Sequence, residues 1–289
     1  AGLVCLGKTH LSEIAFSGLG LNPVMQTPPN LHDPDAVPGG STSGGAASVA
    51  FGLAAAAIGT DTGGSVRIPA AWNGLCGLKT THGVLSAEGI VPLCEGFDTV
   101  GPLTRSVEDA ALLLAALGGP ATDLRGAGLQ GARVLIVRTV LCEDLEPGPA
   151  AAFDAAVAQL EAAGLQIDRT DWAPLPEVYG LAADLVPPEA WSWWGPLVET
   201  QGDLMFGEIR DRVAAGQSVS ASAYLAAWRR LRALRGDWEA LIAPYDAVLS
   251  PTVASLPPKV ADLMADGAVY RAANLTALRN TRAINLLGG

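Results

Sequence analysis

The chain is short of the side chains from which many catalytic and binding centres are made. It holds only three lysines, Lys8, Lys79 and Lys259, with three histidines and four cysteines in 289 residues. Two of the histidines, His10 and His32, read as turn or surface positions. Cys5, Cys76, Cys94 and Cys142 stand far apart and form no C-x-x-C pair. That spacing excludes a zinc ribbon and a disulfide framework and fits a reducing cytoplasm. No metal or cofactor is implied. Basic charge is also scarce: 18 Lys and Arg face 29 Asp and Glu, a net charge of −11. Such a balance argues against nucleic acid or an anionic membrane as partner and favours a small neutral or cationic substrate. Outside one glycine-broken helix, no uncharged apolar run is long enough to span a bilayer, and the opening AGLVCL lacks the basic flank of a signal peptide. The expectation is a soluble globular chain in the cytoplasm, with homo-oligomer formation left open. The missing initiator Met and the apolar residues at both ends suggest a piece of a longer protein.

What the chain has in quantity is glycine and alanine, concentrated in PGGSTSGGAASVAFGLAAAAIGTDTGGSVR at Pro38–Arg67. Two glycine-rich turns carry hydroxyls, Ser41, Thr42 and Ser43 in the first and Ser65 in the second. Glycine lets a backbone turn with positive φ and approach a ligand closely. Between the turns, residues 46–58 are almost wholly apolar, which predicts a buried helix holding the two turns at a fixed separation. Consecutive amides from Thr62 to Ser65 are suited to receive an oxyanion, with a second serine beside Ser65 to take its proton. On residue types alone, glycine loops that merely pack a helix closely account for the pattern equally well.

The run resembles the signature of the amidase signature family of serine hydrolases. That family has a GGSSSGG-like turn, an alanine-rich helix and a G(T/S)DTGGSIR turn. The likeness continues through Pro69, Ala70, Gly74, Gly77, Leu78 and Lys79 to GPLTRSVEDAALLLAAL from Gly101. It covers about the first 120 residues closely and DAVLSPT at 246–252 more loosely. The resemblance implies Ser65 as nucleophile and Ser41 as proton-relaying serine, preceded by a cis bond from Gly40. It implies an oxyanion hole at Thr62, Gly63, Gly64 and Ser65, and supporting roles for Gly40, Thr42, Ser43, Asp61 and Arg67. The family's third catalytic group is a lysine in a G-x-P-x-x-x-K-D-like strand. None of the three lysines here lies in that context, so no catalytic lysine is identified.

Gly2–Thr9 matches the phosphate-binding pattern G-x-x-x-x-G-K-T letter for letter, but its inner residues Leu3, Val4, Cys5 and Leu6 read as a strand rather than a phosphate loop. Lys8 there and Lys79 in GLKTT read as structural. Residues 11–18 suggest a short helix capped by Ser12. Residues 106–117 form an amphipathic helix with Glu108 and Asp109 in its first turn. Residues 132–140, 149–163 and 165–169 then read as strand, helix and strand. Residues 187–197 place Trp191, Trp193 and Trp194 beside prolines, suited to a pocket mouth or to packing beneath a loop. Residues 221–242 read as a helix whose Arg229, Arg230, Arg232 and Arg235 form a solvated face.

The expected fold is α/β, the amidase-signature fold, a mixed β-sheet covered by helices on both faces. It is read as one domain: a signature core at 1–120, a β-α-β extension at 121–170, a variable helical substrate-side region at 171–245, and a return to the sheet at 246–289. The function this implies is hydrolysis of a small-molecule carboxamide through a serine acyl-enzyme. The alternatives are a glutaminase subunit of a tRNA-dependent amidotransferase and a catalytically silent binding or scaffold homologue.

Overall fold

The computed structural model describes residues 2–289. In chain order the elements are α1 (Ser43–Ala50), β1 (Ala57–Thr60), α2 (Arg67–Trp72), β2 (Cys76–Gly77), β3 (Val100–Thr104), α3 (Val107–Ala116), β4 (Arg133–Val137), α4 (Pro147–Ala162), β5 (Gln166–Thr170), α5 (Leu175–Gln201), α6 (Gly207–Ala214), α7 (Ala221–Ile242), β6 (Ala247–Val248), α8 (Val260–Ala265) and α9 (Gly267–Leu287). The strands form an antiparallel sheet, β1-β3-β2, and a parallel one, β5-β4-β6. The expected β-α-β unit is therefore present as β4-α4-β5. The 246–252 segment returns to it as β6, flanked by bonds from the Asp246 amide to Arg133 O and from the Leu249 amide to Leu135 O.

The helix expected over 46–58 is cut short. α1 begins at Ser43 and ends at Ala50, Gly52 turns with φ 74°, and Ala57–Thr60 pairs with β3. Helix propensity is a weak prior, and four residues of ladder opposite Leu103 to Val100 override it. Gly2–Thr9 forms no strand; Leu3, Val4 and Leu6 are exposed there. The 11–18 helix shrinks to a 3-10 turn at Glu13–Ala15, and Ser12 does not cap it: its hydroxyl donates to Ser17 O. Ser106 does cap α3, accepting from the Asp109 amide.

α5 runs for 27 residues straight through Pro187, Pro188 and Pro196. An interior proline removes a helix hydrogen bond, so burial has to hold this helix together. Leu175, Val178 and Leu185 supply it, packing with Leu231, Leu234 and Trp238 of α7, Leu135 and Val137 of β4, and Leu286 of α9. The arginine face of α7 is only partly solvated. Arg230 pairs with Glu177, whereas Arg235 is half-buried, donates to Leu286 O and lies near the Trp228 and Phe97 rings.

A second core joins Leu19, Leu21, Ile68, Trp72, Leu263 and Tyr270 to Ala277 and Leu278 of α9, and a third joins Ala46, Val66, Ala70 and Leu103. α9 thus packs into both larger cores. Because Leu231 is fully buried between α5, α7 and α9, Leu231→Ala is expected to lower the unfolding free energy by about 2–5 kcal/mol. Exposed Leu225→Ala on the same helix should stay within about 0.5 kcal/mol. Urea unfolding with an unchanged m-value is the measurement.

Candidate active site

The two serine turns meet. The Thr42 amide donates to Ser65 O at 3.2 Å, and the Ser43 amide to Ser41 O at 2.8 Å. Ser41 and Ser65 are both buried. The Gly40–Ser41 peptide is cis, the geometry expected from the resemblance. The first turn is held from the N-terminal side, where the Ser12 amide donates to Ser41 O and the Gly40 amide to Gly18 O. Nothing larger than glycine fits at position 40, because a Cβ there would stand 2.5 Å from the Gly20 nitrogen and 2.6 Å from Ser12 Oγ.

Asp61 builds the second turn. Its carboxylate is wholly buried and accepts from the Gly64 amide at 2.8 Å, the Val66 amide at 3.1 Å, Arg67 Nε at 3.0 Å and Asn285 Nδ2 at 3.0 Å. Burial alone would raise its pKa. The Arg67 charge and the bonds from Arg67, Asn285 and Val66 outweigh it and hold the carboxyl at about 2. Asn285 Oδ1 in turn accepts from Arg67 Nη2. Thr281, one helical turn before Asn285 on α9, donates to Gly63 O at 2.7 Å. Gly64 takes φ 139°, and a Cβ there would come 2.1 Å from Thr281 Oγ1, so this position too requires glycine.

The Gly64 amide donates to Asp61 Oδ1. The amides of Thr62, Gly63 and Ser65 have no acceptor among the described residues. The Thr62 hydroxyl donates to Asp98, whose carboxylate also accepts from the Leu93 and Cys94 amides and whose pKa is raised by burial.

Thr62, Gly63 and Ser65 line a cavity of about 30 Å³, closed by Phe16, Leu93, Val186 and Leu278 with Arg212 and Arg282. A larger cavity of about 520 Å³ lies beside Glu95, Glu189, Trp193 and Tyr224 and includes none of the serine-turn residues. None of the three lysines lines either cavity. Lys8 is exposed, Lys259 pairs with Asp33, and Lys79 Nζ donates to Thr80 O at 2.7 Å. Burial, with Arg67 nearby, pushes Lys79 down to about 8.

Sequence reading brought Ser41, Thr42, Ser43 and the 61–67 turn together correctly in space but missed Asp98, Thr281, Asn285, Arg212 and Arg282. One signal existed. Asn274, Thr281 and Asn285 recur at spacings of seven and four, a polar stripe on one face of α9 that stands out against its apolar neighbours.

A family model described as Amidase matches residues 1–287. The 2-amino-5-chloromuconic acid deaminase of Comamonas testosteroni is 38% identical over 294 residues, covering 99% of this chain and 63% of the relative. A glutamyl-tRNA(Gln) amidotransferase subunit of Thermus thermophilus is 36% identical over 257 residues, 78% of this chain and 54% of the relative. A crystal structure of an amidase matches with a TM-score of 0.86 at 31% identity, covering 96% of this chain and 64% of the other. The chain spans less than two thirds of the length of each.

Asp61 carries a testable pH dependence. Its folded pKa of about 2 lies below the unfolded value of about 3.9, so its stabilisation is full above about pH 5 and is lost as pH falls towards 2. Asp61→Asn is expected to cost about 3 kcal/mol at pH 7 by leaving Arg67 unpaired, and to flatten the acid limb. Urea midpoints from pH 7 to pH 2.5 check this; identical acid limbs in the two proteins would contradict it.

Proposed function

The chain belongs to the amidase family and has its α/β fold, and from that premise we propose that it hydrolyses a small-molecule carboxamide through an acyl-enzyme on Ser65. The observation that carries the reading is the meeting of two buried serine turns beside a cavity walled by Ser65 and two adjacent residues with unengaged amides. Ser65 Oγ attacks the carbonyl carbon as its proton passes to Ser41. The amides of Thr62, Gly63 and Ser65 receive the oxyanion, fixed donors of the kind that stabilise developing negative charge. Collapse of the tetrahedral adduct breaks the C–N bond and releases ammonia or an amine, which takes up the relayed proton. Water then attacks the ester, and the acid leaves with Ser65 restored.

Asp61, Arg67, Gly40, Thr42 and Ser43 hold this geometry without touching substrate. The base behind Ser41 is none of Lys8, which is exposed, Lys79, which donates to Thr80 O, and Lys259, which pairs with Asp33. In the family that this chain resembles, it is a lysine of a preceding strand. Four free thiols support a reducing, cytoplasmic setting, and no described helix is long and apolar enough to cross a membrane.

The test uses the protein as it is encoded, with a fluorophosphonate probe. Ser65 should be labelled covalently, and Ser65→Ala should abolish labelling and lower amide hydrolysis by roughly 10⁴-fold or more. Ser41→Ala should lower the rate by about 10² to 10⁴. Labelling that persists unchanged in Ser65→Ala would overturn the assignment.

A further inference from the structure

The cavity beside Ser65 has a charge that the proposed chemistry leaves unused. Arg212 of α6 and Arg282 of α9 both line it. A Cβ built on Gly63 would stand 4.0 Å from Arg282 Cγ, which puts that side chain against the proposed oxyanion turn. Neither arginine forms an ion pair among the described residues, although Arg67, Arg230 and Arg271 do. Arg212 donates to Phe16 O at 3.1 Å and lies 4.3 Å over the Phe16 ring. Arg282 Nη2 is buried with no partner, the one such side-chain nitrogen or oxygen among the described residues.

Two guanidinium groups so placed are unfavourable for the protein alone. Burial lowers both pKa values, that of Arg212 to about 9, and the like charge of Arg282 adds to the effect. A buried cation needs an anion or hydrogen-bond acceptors to offset its desolvation. The phenols nearby do not provide this: neither Tyr270, which donates to Ser17 Oγ, nor Tyr179, which donates to Arg279 O, accepts a hydrogen bond from Arg212 or Arg282. Charge left uncompensated in a cleft is a mark of ligand binding rather than of folding.

We propose that Arg282, with Arg212 beside it, forms a carboxylate-binding subsite, so that the amide cleaved at Ser65 belongs to a molecule that also carries a carboxylate. The inference rests on the Ser65 reading. A guanidinium fork matches the planar carboxylate in a bidentate manner. The net charge of −11, which favoured a neutral or cationic substrate, describes the whole surface, whereas recognition depends on the local field at the cavity.

The test compares, in the encoded protein, the monoamides succinamate, glutaramate and adipamate with butanamide, pentanamide and hexanamide. At the best chain length, kcat/KM for the carboxylate-bearing amide should exceed that of its uncharged counterpart by roughly 10²-fold. Arg282→Gln should bring that ratio close to one, chiefly through KM, and Arg282→Lys should restore part of it. Arg212→Gln should lower the ratio independently. The same monoamides should slow fluorophosphonate labelling of Ser65 more than the uncharged amides do, a readout that does not need turnover. Melting temperatures identify a variant that has merely unfolded. Ser65 labelled normally, with ratios near one at every chain length or unaltered by Arg282→Gln, would overturn the subsite alone. No labelling of Ser65 at all would overturn the acyl-enzyme reading and the subsite with it.

Discussion

The contact on which the site depends is the buried ion pair of Asp61 and Arg67, tied to Asn285. A carboxylate with no exposure to water must fill its lone pairs within the protein. Asp61 fills them with the Gly64 and Val66 amides, the Arg67 guanidinium and the Asn285 amide. Each bond fixes part of the turn between β1 and α2. With the Gly64 and Val66 amides drawn towards Asp61, those of Thr62, Gly63 and Ser65, three residues that line the cavity, stay unengaged among the described residues. Asn285 and Thr281 come from α9, more than 200 residues later in the chain. The turn is therefore complete only when the last helix has docked, and folding and site assembly are one event for this part of the molecule.

α9 connects stability to function in a second way. Its apolar positions, Ala277, Leu278, Ala283 and Leu286, enter the two larger cores. Several of its polar positions hold the site: Asn274 accepts from the amide of Gly18, whose carbonyl in turn holds Gly40, Thr281 reaches Gly63, Asn285 reaches Asp61, and Arg282 borders the cavity. Packing that holds the helix in register thus also sets where an unpaired guanidinium sits relative to Ser65.

Much of this was legible in the sequence, and for physical reasons. The glycine turns were visible because their geometry admits no side chain, as at Gly40 and Gly64. β4, α4, β5 and α3 were visible because local pattern, and for α3 its Ser106 cap, agree with their tertiary setting. The failures share another cause. The alanine run at 46–58 has the local preference of a helix, but the chain turns at Gly52 and its last two residues, Ala57 and Ile58, are claimed by pairing with β3. α5 passes through three prolines because its neighbours, not its own propensity, hold it. Arg235 reads as a surface residue until α9 arrives to accept from it. Arg212 and Arg282 lie 70 residues apart on helices that look amphipathic, and only the fold brings their charges to one cavity. What the sequence hides is contact across long separations.

The proposed chemistry passes through a covalent intermediate at Ser65, and trapping that intermediate is the most direct measurement. The encoded protein, mixed with an amide that it hydrolyses, is quenched in acid within one turnover and analysed by peptide mass spectrometry. An acyl mass on Ser65, with Ser41 unmodified and with the adduct converted to a hydroxamate by hydroxylamine, is the predicted result. An adduct on any other residue, or turnover with no acyl mass on Ser65 and no hydroxamate formed, would contradict it.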